Sequence, residues 1–146
     1  MADERTYPQR PYLAVSAAII RDGKVLLVRR ARNPALHLYT LPGGAVEAGE
    51  TLIDAVVREA HEETSLTIEP VALAGHREVI VPDAQGRTER HFVILCFAAR
   101  WLAGEPVLSD ELDDARWIDP ADLGAYRTTE GLAEIVAAAV QLLSRD

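Results

Sequence analysis

At 146 residues and 49% apolar composition, the chain has the length and hydrophobic content of one globular domain with a real core. Its formal net charge of -8 argues against broad nucleic-acid binding, which needs a basic footprint, and its single cysteine excludes an intramolecular disulfide or a Cys-rich zinc site. Nothing at the N-terminus resembles a signal peptide, and the apolar runs at 13–20 and 92–99 fall far short of the ~20 residues of a membrane helix, so a soluble cytoplasmic protein is expected.

Residues 1–11 are polar and contain prolines, and they are expected to be a flexible leader within a single domain spanning 1–146. Residues 12–20 and 24–30 are apolar runs separated by Asp22-Gly23, the composition of a hairpin with a tight turn. Residues 31–44 hold Asn33-Pro34 and Leu41-Pro42-Gly43-Gly44, too many breakers for a regular element, and are expected to be a loop. Thr51 is placed to cap a helix running to about residue 64, with apolar side chains at 52, 53, 56, 57 and 60. One or two strands are expected over 66–81, a polar turn around Gly86 over 82–90, and a buried strand over 91–100 that makes Cys96 a core residue. A short strand at 115–118 and an amphipathic helix at 131–143 complete the order. Strands on both sides of a central helix, with a second helix at the end, predict a sheet between helical layers.

The chemistry concentrates in GAVEAGETLIDAVVREAHEETSL, residues 44–66. On a helical wheel, Leu52, Ile53, Val56, Val57 and Ala60 form one face, which Glu59, Glu62 and Glu63 border; His61 and Asp54 lie on the outer side. Like charges one turn apart repel, and the negative end of the helix dipole disfavours them further. Three glutamates there call for a cation rather than a solvated face. A donor set of oxygens without cysteine or histidine favours Mg2+ or Mn2+ over zinc. Arg58 is within reach of Asp54 and Glu62 at one turn on the outer face.

Gly44, Glu50, Arg58, Glu59, Glu62 and Glu63 stand at the spacing G-x5-E-x7-R-E-U-x-E-E-x-G-U, where U is bulky and apolar, and the chain thereby resembles the Nudix family. Six such matches arise by chance on the order of 10⁻⁷ per window at ordinary residue usage. Ala60 is small for its apolar slot, and Ser65 replaces a glycine, so the turn there would need a serine at positive φ. AVSAAIIRDGKVLLVRR, LPGG and ARWIDPADL extend the resemblance over residues 12–143.

The resemblance implies an α/β/α sandwich around a mixed β-sheet and metal-dependent hydrolysis of a nucleoside diphosphate linked to another group. It implies Glu59, Glu62 and Glu63 as metal ligands with a main-chain carbonyl at Gly43, and Arg58 and Glu50, with Gly44, as residues that hold the motif together. Glu111, six residues before Trp117, matches a general base, with Glu62 also at the reacting centre and Asp110, Asp113 and Asp114 as neighbours. Pro82, 16 residues past the motif, stands as in members that hydrolyse ADP-ribose, and Arg30 matches a substrate contact while Arg29 alternates to the other face. Tyr39 is placed to stack on a base or to pack. His37, His76 and His91 receive no role. With metal supplying the positive charge, the resemblance implies that the acidic protein needs no basic pocket. ADP-ribose or a related nucleotide sugar leads as substrate; an oxidised nucleoside triphosphate is the rival, and a non-catalytic nucleotide sensor is the rival of a different class. A nucleotide-derived small molecule is the expected partner, without nucleic acid or membrane, and a homodimer is compatible with the family.

Overall fold

The computed structural model describes residues 5–144; residues 1–4 of the expected leader and residues 145–146 lie outside that range. β1 (Tyr12–Arg21) and β2 (Lys24–Arg30) carry nearly unbroken apolar runs because both faces of their sheet are covered. Val15, Ala17, Ile19, Leu26 and Val28 pack on the side of α1 (Leu52–Thr64), while Ala18, Val25 and Leu27 pack on the side of α2 (Leu132–Leu143). Asp22 and Gly23 turn the hairpin with φ of 51° and 77°, the two left-handed residues that suit the twist of paired strands.

Five further strands complete one sheet: β3 (Tyr39–Thr40), β4 (Gly43–Ala45), β5 (Thr67–Pro82), β6 (Thr88–Ala103) and β7 (Leu112–Ile118). The order is β3-β2-β1-β6-β5, with β4 also on β1 and β7 also on β2. β1 and β6 run parallel and the other pairs antiparallel, so the sheet is mixed and the layers are those of the expected α/β/α sandwich. Cys96 is fully buried between sheet and α2, as read from its apolar run. No helix among the described residues is long and apolar enough to cross a membrane.

Two expectations are corrected. The segment 31–44 is not all loop: β3 pairs with β2, and β4 lies against Ala14, Val15 and Ser16 of β1. Only glycine allows the second approach, since a Cβ on Gly43 would sit 2.1 Å from the Val15 carbonyl oxygen. Of the one or two strands expected after the helix, the structure has one, of 16 residues with register shifts, and Asp83 closes its turn by accepting from the N–H groups of Gln85 and Arg87, both at 2.9 Å. Finally, Ile53 is 45% exposed, whereas Ala55, Val56, Ala60, Glu63 and Thr64 are buried. The buried arc of α1 is thus rotated away from Ile53 and centred on Glu63, which lies within it rather than at its border.

Candidate active site

Thr51 starts the site helix by accepting the Asp54 N–H on its hydroxyl at 3.1 Å. Ser65 ends it at φ 66°, ψ 10°, its N–H reaching the His61 carbonyl at 2.8 Å. Serine thus takes the left-handed position that a glycine would fill without a Cβ penalty.

Between these caps Arg58 makes five hydrogen bonds. Nε and Nη2 grip the two oxygens of Glu50 at 2.6 and 2.9 Å. Nη1 donates to Glu59 at 2.8 Å and to Glu62 at 3.2 Å, and Nη2 also reaches the Ala45 carbonyl at 3.0 Å. The expected pairing with Asp54 does not form among the described residues, because the guanidinium turns toward Glu50 instead. Arg58 and the Glu47 N–H hold the Glu50 carboxyl down at about 2, while the acidic partners hold Arg58 above the usual arginine value. Glu50, Arg58 and Ala45 form a clasp between the helix and the turn that precedes it.

The three helix glutamates differ. Glu62 is 58% exposed, and Glu59 is 14% exposed. Glu63 is 7% exposed and accepts the Gly43 N–H on Oε1 at 2.7 Å. Burial pushes the Glu63 carboxyl up to about 7; the Gly43 hydrogen bond opposes this, the charges of Glu59 and Glu111 reinforce it, and Arg30 pulls it back. Burial also raises Glu59, against its bond to Arg58, and the charges of Glu62 and Glu111 add to the rise. A Cβ on Gly44 would stand 2.2 Å from Glu59 Oε2, so the bare glycine leaves room for that carboxylate.

Glu111 lies in the turn just before β7, where its carbonyl accepts the Ala31 N–H at 2.9 Å. Its acidic neighbours are engaged elsewhere: Asp110 with Arg32 at 3.0 Å, Asp113 with Arg29 at 2.6 Å, and Asp114 with Arg116 at 2.8 Å. Among the described residues no cation pairs with Glu111, and it alone of these four lines the cavity beside Glu63.

That cavity has a volume of about 400 Å³, with Gly43, Gly44, Glu63 and Glu111 at one end. Arg30 lines it too, its Nε fixed on the Pro34 carbonyl at 2.6 Å. Although metal would make a basic pocket unnecessary, Arg5, Arg32, Arg77 and Arg90 also border the cavity, so the net charge of the chain misstates the charge of this surface. Sequence reasoning missed these four, although period-two alternation puts Arg77 on the same face as Val79, which also lines the cavity.

Tyr39 and Pro82 are not brought to the cavity. Tyr39 is 8% exposed, its hydroxyl donates to Asp114 and its ring meets Tyr126 edge-on at 5.2 Å, which leaves no face for a base. Of the two roles open to it, the structure gives it packing. Pro82 is exposed where β5 ends, outside the cavity lining. Arg29 is on the opposite course from Arg30, paired with Asp113 and 5.7 Å from the Tyr39 ring centre.

Among the described residues, no three acidic, histidine or cysteine side chains already converge on one point. Arg58 draws Glu59 and Glu62 to one side, and Gly43 holds Glu63. The donors nevertheless suit a hard divalent ion: all are oxygens, and burial first, with neighbouring negative charge adding to it, raises Glu59 and Glu63, a combination that such an ion relieves. Rotation of side chains already adjacent on one helix turn is what such binding requires.

A family model described as the NUDIX domain matches residues 10–139. The chain is 37% identical over 109 residues to an ADP-ribose pyrophosphatase of Methanocaldococcus jannaschii, covering 75% of this chain and 62% of that protein's length. Among solved structures it resembles a MutT NUDIX hydrolase from Burkholderia pseudomallei, at TM-score 0.75 and 29% identity, over 92% of this chain and 99% of that one. It also resembles the NUDIX domain of Shewanella oneidensis NrtR complexed with ADP ribose, at TM-score 0.72 and 25% identity, over 92% and 90% of the two chains.

Proposed function

The chain belongs to the Nudix family, and on that premise we propose that it is a divalent-metal-dependent pyrophosphohydrolase whose substrate is ADP-ribose or a related nucleotide sugar. The observation that carries this reading is a cavity with Glu63 and Glu111 at one end, where the charge of Glu59 also acts on Glu63, and with Arg5, Arg30, Arg32, Arg77 and Arg90 elsewhere along its border. Carboxylates suit a metal, and guanidinium groups suit the phosphates of a polyanionic substrate.

Glu59, Glu62 and Glu63 would hold Mg2+ or Mn2+. The ion, when bound, polarises phosphate oxygens and lowers the pKa of water. Glu111 takes the proton of the attacking water, since it reaches the cavity without a cation to neutralise it. Arg58 touches no substrate; through Glu59 and Glu50 it orients the carboxylates. Arg30, fixed by Pro34 near Glu63, offers its remaining donors to a phosphate. The name of the relative at 37% identity and the ADP ribose bound in a similar domain favour ADP-ribose over a nucleoside triphosphate.

The test is hydrolysis in Mg2+ of ADP-ribose, other nucleotide sugars and nucleoside triphosphates, with products resolved. AMP released from ADP-ribose is expected, with Glu63→Gln and Glu111→Gln strongly impaired. Failure to cleave any of these, or wild-type rates in Glu63→Gln, would refute the catalytic reading; preferential release of pyrophosphate from triphosphates would replace the substrate.

A further inference from the structure

The cavity has two chemically different ends. Opposite the carboxylates, Arg77 and Val79 from β5 and Phe92 and Ile94 from β6 line its far wall. In the sheet Arg77 lies against Ile94, Ile94 against Ala14, and Ala14 against Ala45. Three strand spacings, about 14 Å, therefore separate the main chain of Arg77 from β4, which carries Gly43 and Gly44.

Elsewhere in the protein arginines close on carboxylates: Arg21 on Glu105, Arg29 on Asp113, Arg32 on Asp110 and Arg100 on Glu69. Arg77 does not. Its Nε donates to the Glu130 carbonyl at 2.7 Å, and among the described residues no carboxylate forms an ion pair with it. Burial is the largest influence on Arg77 and pulls its pKa below the ordinary arginine value, with Cys96 and Glu130 acting the other way. A half-buried guanidinium that uses one of its five donors on a neutral acceptor, in a chain with 23 acidic against 15 basic side chains, has been left for an acceptor that is not part of the fold. Arg5 and Arg90 border the same cavity and add charge of the same sign.

We infer that Arg77 is a specificity-determining residue that binds a phosphomonoester on the ribose of the substrate's nucleoside, at the end of the cavity away from the diphosphate that is cleaved. The planar guanidinium matches a phosphate with two parallel hydrogen bonds. Phe92, Ile94 and Val79 beside it offer the apolar surface that a base needs. This deepens the proposed pyrophosphohydrolase reading and rests on it for the position of the diphosphate.

The test is calorimetric binding of AMP, adenosine 2′,5′-bisphosphate and adenosine 3′,5′-bisphosphate to the metal-free protein, the two bisphosphates distinguishing the ribose position. One bisphosphate should bind about 10- to 100-fold tighter than AMP, the range of a charge-assisted hydrogen-bond pair. Arg77→Ala should bring that ratio close to one, and Arg77→Gln makes the same comparison if the alanine variant does not fold. Equal affinity of wild type for all three, no binding of any, or an advantage that survives the substitution would each overturn the inference. Because binding is read without turnover, the two readings fail separately. A protein that discriminates the bisphosphates but cleaves nothing keeps this inference and loses the catalytic one.

Discussion

Gly43 donates its main-chain N–H to Glu63 at 2.7 Å, so a carboxyl in the middle of the buried face of α1 is held by a single neutral donor. That bond ties the glycine turn to the last turn of the helix beside the Arg58 clasp, and the burial of the carboxyl that it only partly offsets governs how the protein responds to pH.

The Glu63 carboxyl sits at about 7 in the folded protein against 4.5 ordinarily. A pKa raised by folding means the stability it carries is complete below pH 4.5 and is lost as the pH rises through 7, on the order of 3 kcal/mol over that window. Glu50 has the opposite sign: held at about 2, it contributes above pH 4.5 and loses that contribution as the pH falls toward 2. Urea unfolding in EDTA from pH 4.5 to 8 should show wild-type stability falling relative to Glu63→Gln, with saturating Mg2+ restoring most of the loss. Parallel profiles for the two proteins would contradict the assignment.

Gly43→Ala and Gly44→Ala should separate stability from activity. The first puts a methyl group 2.1 Å from a main-chain oxygen, which can move only by parting β4 from β1, so a loss of about 1 to 3 kcal/mol or more is expected. The second meets the end of the Glu59 side chain at 2.2 Å, which can swing aside; the protein should stay folded while metal affinity and turnover fall. Thermal unfolding paired with Mg2+ titration distinguishes them, and equal losses of stability would count against this account.

Arg58→Lys keeps a positive charge but cannot reproduce the fork on Glu50 together with the bond to Glu59. A folded protein destabilised by about 1.5 to 3 kcal/mol is expected, with kcat reduced more than KM because the carboxylates are misaligned rather than removed. Steady-state kinetics check this, and an unchanged kcat would show that the orientation is set elsewhere.

Ser65→Gly should stabilise the protein. Relief of the left-handed serine at φ 66° gains about 1 to 2 kcal/mol, against roughly 0.5 to 1 kcal/mol of added chain entropy in the unfolded state and loss of the 3.3 Å bond from Ser65 Oγ to the Val107 carbonyl. A net gain of up to about 1 kcal/mol follows from these terms. Denaturant midpoints measure it; a destabilised variant would mean that the Val107 contact outweighs the strain.

The carboxylate end of the site was readable in the sequence because its parts are local. Thr51, Arg58, Glu59 and Glu63 lie on one helix, and a fixed rotation per residue carries sequence spacing into space. Even there the wheel misled in part: Ile53 looked like core but is exposed, and Glu63, expected at the border of the buried face, lies within it. The arginine wall was not readable. Arg77 reaches the cavity through the pairing of β5 with β6 and β6 with β1, and β5 changes register between Pro70 and Ala72 and again between Leu73 and Gly75. Tyr39 likewise depended on partners far along the chain, Asp114 and Tyr126, that no local pattern announces.

The long antiparallel ribbon of β5 and β6 has a consequence for how this protein can change. It supplies the far wall of the cavity, with β5 at the rim of the sheet, while Glu59, Glu62, Glu63 and their Arg58 clasp hang from α1 and its preceding turn. On the proposed reading, substitutions on the ribbon at positions such as Arg77 would retune which molecule is accepted without touching the carboxylates on α1. Selectivity and hydrolysis would then be inherited from separate stretches of chain, and one could drift while the other is held by its own geometry.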